Sequence, residues 1–150
     1  MSHFLLIEAR FYRDLSDELA RGAIAELERR GVTYDRIAVP GVLEIPGALS
    51  MALIAAEEGN ISAYDGFVLL GCVIRGETSH YDIVAVESAR AVMDLVSAYG
   101  LALGNGVLTV ENGDQAWARA GVDGKNKGAA AAAAACEMAE LRERWGLAGK

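Results

Sequence analysis

From Ile74 to His80 the chain reads IRGETSH, which strings together a guanidinium, a glycine, two hydroxyls and an imidazole. A glycine turn that opens onto a helix N-terminus leaves backbone N–H groups free to hold an anion. Ser79, with Asp82 three residues on, has capping-box spacing and predicts such a helix start, with free N–H groups near Thr78 to Tyr81. His80, one of two histidines in the chain, falls in that first turn. Histidine is the side chain that most readily takes and gives a proton near neutrality. An anion seat beside a proton carrier points to chemistry on a phosphorylated small molecule. Taken alone, His80 fits a solvated surface position equally well.

Other side chains qualify only in company. Phe11, an aromatic in a turn, could stack on a flat heterocycle or cap the core. Glu44 follows two apolar residues in a proline-flanked turn, where its carboxylate could accept hydrogen bonds from a polyol or simply face water. Arg75, Arg119 and Lys127 are candidate phosphate contacts, arginine through its planar fork and lysine as a point charge. Each of the three also fits a solvated surface.

Strands and helices must bring these residues together. The apolar run Phe67–Leu70 reads as a strand buried on both faces of a parallel sheet, continuing toward Ile74. Phe4–Ala9 reads as the first strand, Tyr34–Val39 as the second and Gly106–Val110 as the fourth. Helix one is predicted over Asp14–Arg30, with Leu15, Leu19, Ala23 and Leu27 at every fourth residue and Gly31 as its stop. Pro46 suits the first turn of helix two, which ends near Gly59. Helix three is predicted from Ser79 to about Tyr99, with Val84, Ala91, Val92, Leu95 and Tyr99 on one face.

Asn112 with Gln115 three on predicts another capped start, for a short helix reaching Ala120. After the turn-rich VDGKNK, the last helix begins near Gly128 with the run Ala129–Ala135. Alanine has the highest helix propensity, and its small side chain permits close approach to a neighbouring element. Strand and helix alternate throughout, which implies an α/β fold with a four-stranded, doubly wound parallel sheet. In such a sheet the ligand sits beyond the carboxyl ends of the strands. The loops Arg10–Tyr12, Val39–Glu44 and Ile74–His80 meet there.

Composition narrows the function. At 150 residues and 53% hydrophobic composition the chain suits one domain, residues 1–150, with a proper core. A net charge of -7 argues against nucleic-acid or anionic-membrane partners. Cys72 and Cys136 make no disulfide framework, and Cys72 reads as a small core residue. Two histidines and two separated cysteines give no metal-ligand spacing, so no metal is expected. Without a signal-peptide pattern or a long apolar run, the cytoplasm is the expected location.

Several stretches together are more specific than any residue alone. RFY at Arg10–Tyr12, PGVLEIPGA at Pro40–Ala48 and GCVIRGETSHYD at Gly71–Asp82 strongly resemble the lumazine synthase family. GNGVLTVENGDQAWARAG at Gly104–Gly121 and KNKG at Lys125–Gly128 continue the resemblance in order. It implies a flavodoxin-like three-layer sandwich in homopentameric rings, with active sites between neighbours. The implied reaction joins 5-amino-6-(D-ribitylamino)uracil to 3,4-dihydroxy-2-butanone 4-phosphate. It yields 6,7-dimethyl-8-ribityllumazine, phosphate and water, the penultimate step of riboflavin biosynthesis, with no cofactor.

Carried onto this chain, the resemblance implies that Phe11 stacks on the pyrimidine ring. Val42, Leu43 and Glu44 would line the pyrimidine and ribityl site, with Glu44 taking ribityl hydroxyls. Cys72, Val73 and Ile74 would meet the ring edge through their backbone, Glu77 and Thr78 would offer N–H groups to the phosphate, and His80 would transfer protons. The adjacent subunit would supply Asn105 beside the pyrimidine and Arg119 at the phosphate, with Lys127 nearby. Tyr12 stands where the family often has Asn, and Leu43 and Asn105 replace aromatics seen in some members, which loosens the pyrimidine pocket. That loosening is the one support for a relative that binds lumazine or flavin without making it. The short N-terminus leads to an expectation of isolated pentamers or pairs of them, not an icosahedral shell. A flavodoxin or phospho-receiver domain shares the architecture, but the chain lacks a hydroxyl-rich phosphate loop after strand one and a receiver's acidic cluster.

Overall fold

A computed structural model describes residues 2–147 of the chain; Met1 and residues 148–150, the ends of the expected domain, lie outside the described residues. The central strand is β3, Gly66–Ile74, whose residues are buried on both faces apart from the partly buried Ile74. Val68, Leu70 and Cys72 enter one core, while Phe67, Leu69 and Val73 enter the other. This two-sided burial is why the segment is apolar without alternation. It pairs in parallel with β1 (His3–Ala9) on one side and β4 (Leu103–Val110) on the other, and β2 (Thr33–Val39) flanks β1. The resulting four-stranded order β2-β1-β3-β4 is that of a flavodoxin-like sheet.

Helices cover both faces. Helices α1 (Arg13–Arg29), α4 (Gly113–Ala120) and α5 (Lys127–Arg144) pack on one side, and α2 (Ile45–Glu57) and α3 (His80–Tyr99) on the other. The four-residue spacing of α1 holds, since Leu15, Leu19, Ala23 and Leu27 are all buried, and the chain leaves the helix through Gly31 at φ +73°. On α3 the expected face is only partly internal: Val84 and Val92 are buried, but Tyr99, the last residue of the helix, is half exposed. Strand β4 begins at Leu103, earlier than its hydrophobic run indicates, because Gly104 belongs to the ladder opposite Val68.

The alanine run acts through backbone proximity. A Cβ placed on Gly104 would stand 1.8 Å from the carbonyl oxygen of Ala131, and one on Gly128 would stand 2.1 Å from that of Leu19. Helix α5 therefore seats against β4 and α1 at distances that only hydrogen and methyl groups permit. On the outer edge of β4 the Val107 N–H donates to the side-chain oxygen of Asn105 at 3.0 Å.

One buried charge sits inside this frame. Glu8 on β1 is 2% exposed, and Arg36 on β2 grips it with two bonds of 2.6 and 2.9 Å. Arg10 adds a third at 3.0 Å and also reaches Asp17 on α1. Both arginines are held more firmly protonated by hydrogen bonds to their carboxylate partners, Asp17 for Arg10 and Glu8 for Arg36. Glu8→Ala is expected to cost about 2–3 kcal/mol, less than the 3–5 of a fully buried pair because the two arginines still reach water. A urea midpoint unchanged from the parent would show that the pair contributes nothing.

Candidate active site

Chain direction explains where the crevice forms. After β1 the chain turns to α1 on one face, and after β3 it turns to α3 on the opposite face, so the two connections part and leave a gap between them. This is the topological switch point at which open α/β sheets bind ligands. The gap is a cavity of about 490 Å³, within the range of small-molecule sites. The end of β1 contributes Phe11 and Tyr12, and the turn after β2 contributes Pro40 to Glu44. The end of β3 contributes Cys72, Val73, Ile74 and Gly76, and the start of α3 contributes Thr78, His80, Tyr81 and Val84.

The cavity thus gathers Phe11, Val42, Leu43, Glu44, Cys72, Val73, Ile74, Thr78 and His80 from three separate loops. Phe11 is 73% exposed and meets Tyr12 edge-on with ring centroids 5.0 Å apart, which rules out the core-capping alternative. An aromatic face this bare at the mouth of a crevice is available for stacking. Glu44 closes a 3₁₀ turn over Val42–Glu44, its N–H donating to Gly41 O at 3.1 Å. Its carboxylate lies over Gly41, which has no side chain to push it away. Burial pushes the Cys72 thiol up to about 11, so it stays neutral and is no nucleophile at ordinary pH. Burial also raises the Tyr12 hydroxyl above its usual range.

Two local expectations are corrected. Ser79 does not cap α3 with its side chain, and no capping box forms with Asp82. Instead Thr78 Oγ1 accepts the His80 N–H at 3.3 Å, and the Asp82 carboxylate turns to Arg75 Nη2 at 3.5 Å. Arg75 in turn is not a free phosphate contact. Its Nε donates to Glu111 Oε2 at 2.8 Å and its guanidinium lies 4.2 Å from the centroid of the Tyr81 ring. The Asp82 carboxylate is thus engaged by Arg75 and not by the Ser79 N–H that a capping box would require. By contrast the start of α4 is capped, with Asn112 Oδ1 accepting the Gln115 N–H at 2.9 Å. The reciprocal bond reaches one residue further back, from the Glu111 N–H to Gln115 Oε1 at 2.8 Å.

The remaining expected residues lie outside the cavity. Glu77 is exposed in the loop before α3. Asn105 is exposed on β4, paired in register with Leu69 and so well back from the carboxyl ends of the strands. Arg119 lies in the last turn of α4, partly buried, with Nη1 donating to Gln115 O at 3.1 Å. Lys127 is the exposed first residue of α5. Helices α4 and α5 pack on the face of the sheet opposite α3, so within one chain neither Arg119 nor Lys127 joins His80. Tyr81 lines the crevice although sequence reasoning passed it over; its adjacency to His80 was the available signal.

Among the described residues no cluster of three or more histidine, cysteine or acidic side chains could hold a metal ion, and no helix is long and apolar enough to cross a membrane. Fold and crevice together define a flavodoxin-like α/β domain with a crevice of small-molecule size at its switch point. The 6,7-dimethyl-8-ribityllumazine synthase family profile matches residues 1–143. The chain is 58% identical over 144 residues to 6,7-dimethyl-8-ribityllumazine synthase 1 of Rhizobium meliloti, covering 96% of this chain and 94% of that protein. It is 56% identical to the synthase of Agrobacterium fabrum, over 96% and 97% of the two chains. The synthase of Paramagnetospirillum magneticum is 51% identical over 98% and 99%. The chain belongs to the lumazine synthase family.

Proposed function

We propose that this chain is a one-domain subunit of a cytoplasmic enzyme that makes 6,7-dimethyl-8-ribityllumazine for riboflavin biosynthesis. It condenses 5-amino-6-(D-ribitylamino)uracil with 3,4-dihydroxy-2-butanone 4-phosphate. The observation that carries the reading is the single crevice into which the Arg10–Tyr12, Val39–Glu44 and Ile74–His80 loops converge, in a chain that matches this family almost end to end. Phe11 stacks on the pyrimidine, Glu44 accepts ribityl hydroxyls, and the backbone of Cys72 to Ile74 borders the ring edge. Val42 and Leu43 complete that wall. The N–H groups of Glu77 and Thr78 receive the phosphate.

The site needs a neighbour. The partner subunit's Arg119 binds the phosphate, with Lys127 of the partner subunit close by and Asn105 of the partner subunit beside the pyrimidine. Support comes from the large apolar side chains left outward on α2 and α3, namely Met51, Ile54, Ile83, Val86 and Met93, which mark an association surface. A homopentamer, alone or paired with a second, is the assembly this reading requires.

In the mechanism, the pyrimidine 5-amino group attacks the butanone ketone and water leaves, giving an imine. Phosphate is then eliminated, the resulting enol ketonises, and the ribitylamino nitrogen closes on the new carbonyl with loss of a second water. His80 carries protons at these steps, which is worth roughly 10²–10⁴-fold at most. Holding two substrates aligned supplies about 7–11 kcal/mol, the larger share. His80→Ala is therefore expected to slow turnover by about 10²-fold without abolishing it; complete loss in a variant that still folds and binds both substrates would contradict this. The function itself is tested by mixing both substrates with the protein and following lumazine absorbance and fluorescence. Tight flavin binding with no product would refute it.

A further inference from the structure

Helix α3 begins without the side-chain cap that helices usually carry. Ser79 makes no such bond, and Thr78 Oγ1 meets the His80 N–H only at 3.3 Å. The first turn is gripped from the side instead. The Arg75 guanidinium lies 4.2 Å from the Tyr81 ring centroid and 3.5 Å from Asp82 Oδ1. Its other edge donates to Glu111 Oε2 at 2.8 Å, and its backbone N–H donates to Val110 O at 2.9 Å. One side chain thus ties the second and third residues of α3 to the ends of β3 and β4. A planar fork with five donors can serve two carboxylates and an aromatic face together, which a lysine ammonium cannot. Arg75 is 41% exposed, so each contact alone is weak, and the hold comes from three partners converging on one group.

His80 directly precedes Tyr81, so whatever fixes the rotation of this turn also fixes the direction in which the imidazole leaves the backbone. Both residues line the same crevice. We propose that Arg75 is a positioning residue for His80: it holds the first turn of α3 from the side and does not touch substrate. The inference rests on the proton-carrier role of His80 proposed above.

Steady-state kinetics and backbone hydrogen exchange on the assembled protein test it, using Arg75→Met, Arg75→Lys and Glu111→Gln. Arg75→Met is expected to lower kcat about tenfold, the scale of a small misalignment of the reacting groups, with the KM for butanone phosphate changed by less than about threefold. Arg75→Lys should recover only part of the loss, and Glu111→Gln should show the same pattern more weakly. Added to His80→Ala, Arg75→Met should slow turnover by less than about twofold further, because a residue that works through His80 then has nothing left to place. The Ile83 and Val84 amides should exchange about tenfold faster in Arg75→Met.

A raised KM for butanone phosphate at unchanged kcat would make Arg75 a phosphate ligand and overturn the proposal. Full additivity with His80→Ala, or unchanged exchange together with unchanged kcat, would overturn it as well. Should Arg75→Met fail to assemble, Arg75→Lys and Glu111→Gln carry the same comparisons. Hydrogen exchange is read without substrate, so it judges the clamp even if the parent protein makes no lumazine. That latter result would refute the functional reading on its own.

Discussion

Gly104→Ala should lower the thermal midpoint by about 6–12 °C, because its added methyl makes the tightest clash of any at the described glycines. The added Cβ would lie 1.8 Å from Ala131 O and 2.6 Å from its carbonyl carbon, both backbone atoms that cannot rotate aside. Overpacking commonly costs about 1–3 kcal/mol where side chains can give. Here a whole helix must shift, which puts the cost at the top of that range or above. At about 2–4 °C per kcal/mol for a chain of this length, the fall is easily measured by calorimetry. Gly47→Ala on α2 is the matched control, since its Cβ would meet nothing within 4 Å. If both variants melted alike, the seating of α5 on β4 would not depend on that glycine.

The second large effect is on the site proposed to be shared between subunits. Arg119→Ala should raise the KM for butanone phosphate by about 10–100-fold, the equivalent of losing charge-assisted hydrogen bonds of about 1.5–3 kcal/mol. The KM for the pyrimidine substrate should change little. Because Arg119 does not line the crevice of its own chain, the decisive form of the test mixes subunits. Arg119→Ala chains refolded together with His80→Ala chains should regain activity, since some mixed interfaces pair an intact loop with an intact arginine. An unchanged KM, or mixtures no more active than the average of their components, would remove Arg119 from the site.

Much of this architecture could be read from local pattern, and the failures share a cause. The buried run of β3, the fourfold spacing of α1 with its Gly31 exit and the Asn112–Gln115 cap all depend on residues within one element, and all appear where expected. The crevice was legible because loops at the carboxyl ends of parallel strands must meet. The Ser79–Asp82 cap failed and the contacts of Arg75 went unforeseen because Glu111, its strongest partner, lies 36 positions away, beyond the reach of any local rule. Glu8 escaped notice for the same reason: its identity as a buried charge depends on Arg36, 28 positions on, across a strand pairing. The roles proposed for Asn105, Arg119 and Lys127 rest on a neighbouring chain, and periodicity within one chain does not encode such contacts.

The bond from the Val107 N–H to the Asn105 side chain bears on how such subunits can grow. A bare outer strand is a template on which a stray strand can zip, and proteins that leave one uncovered risk runaway stacking. Asn105 occupies the middle of that template with its own amide, so an incoming backbone finds its register interrupted. Asn105→Ala would hand the Val107 N–H back to that edge as an open donor for a foreign strand.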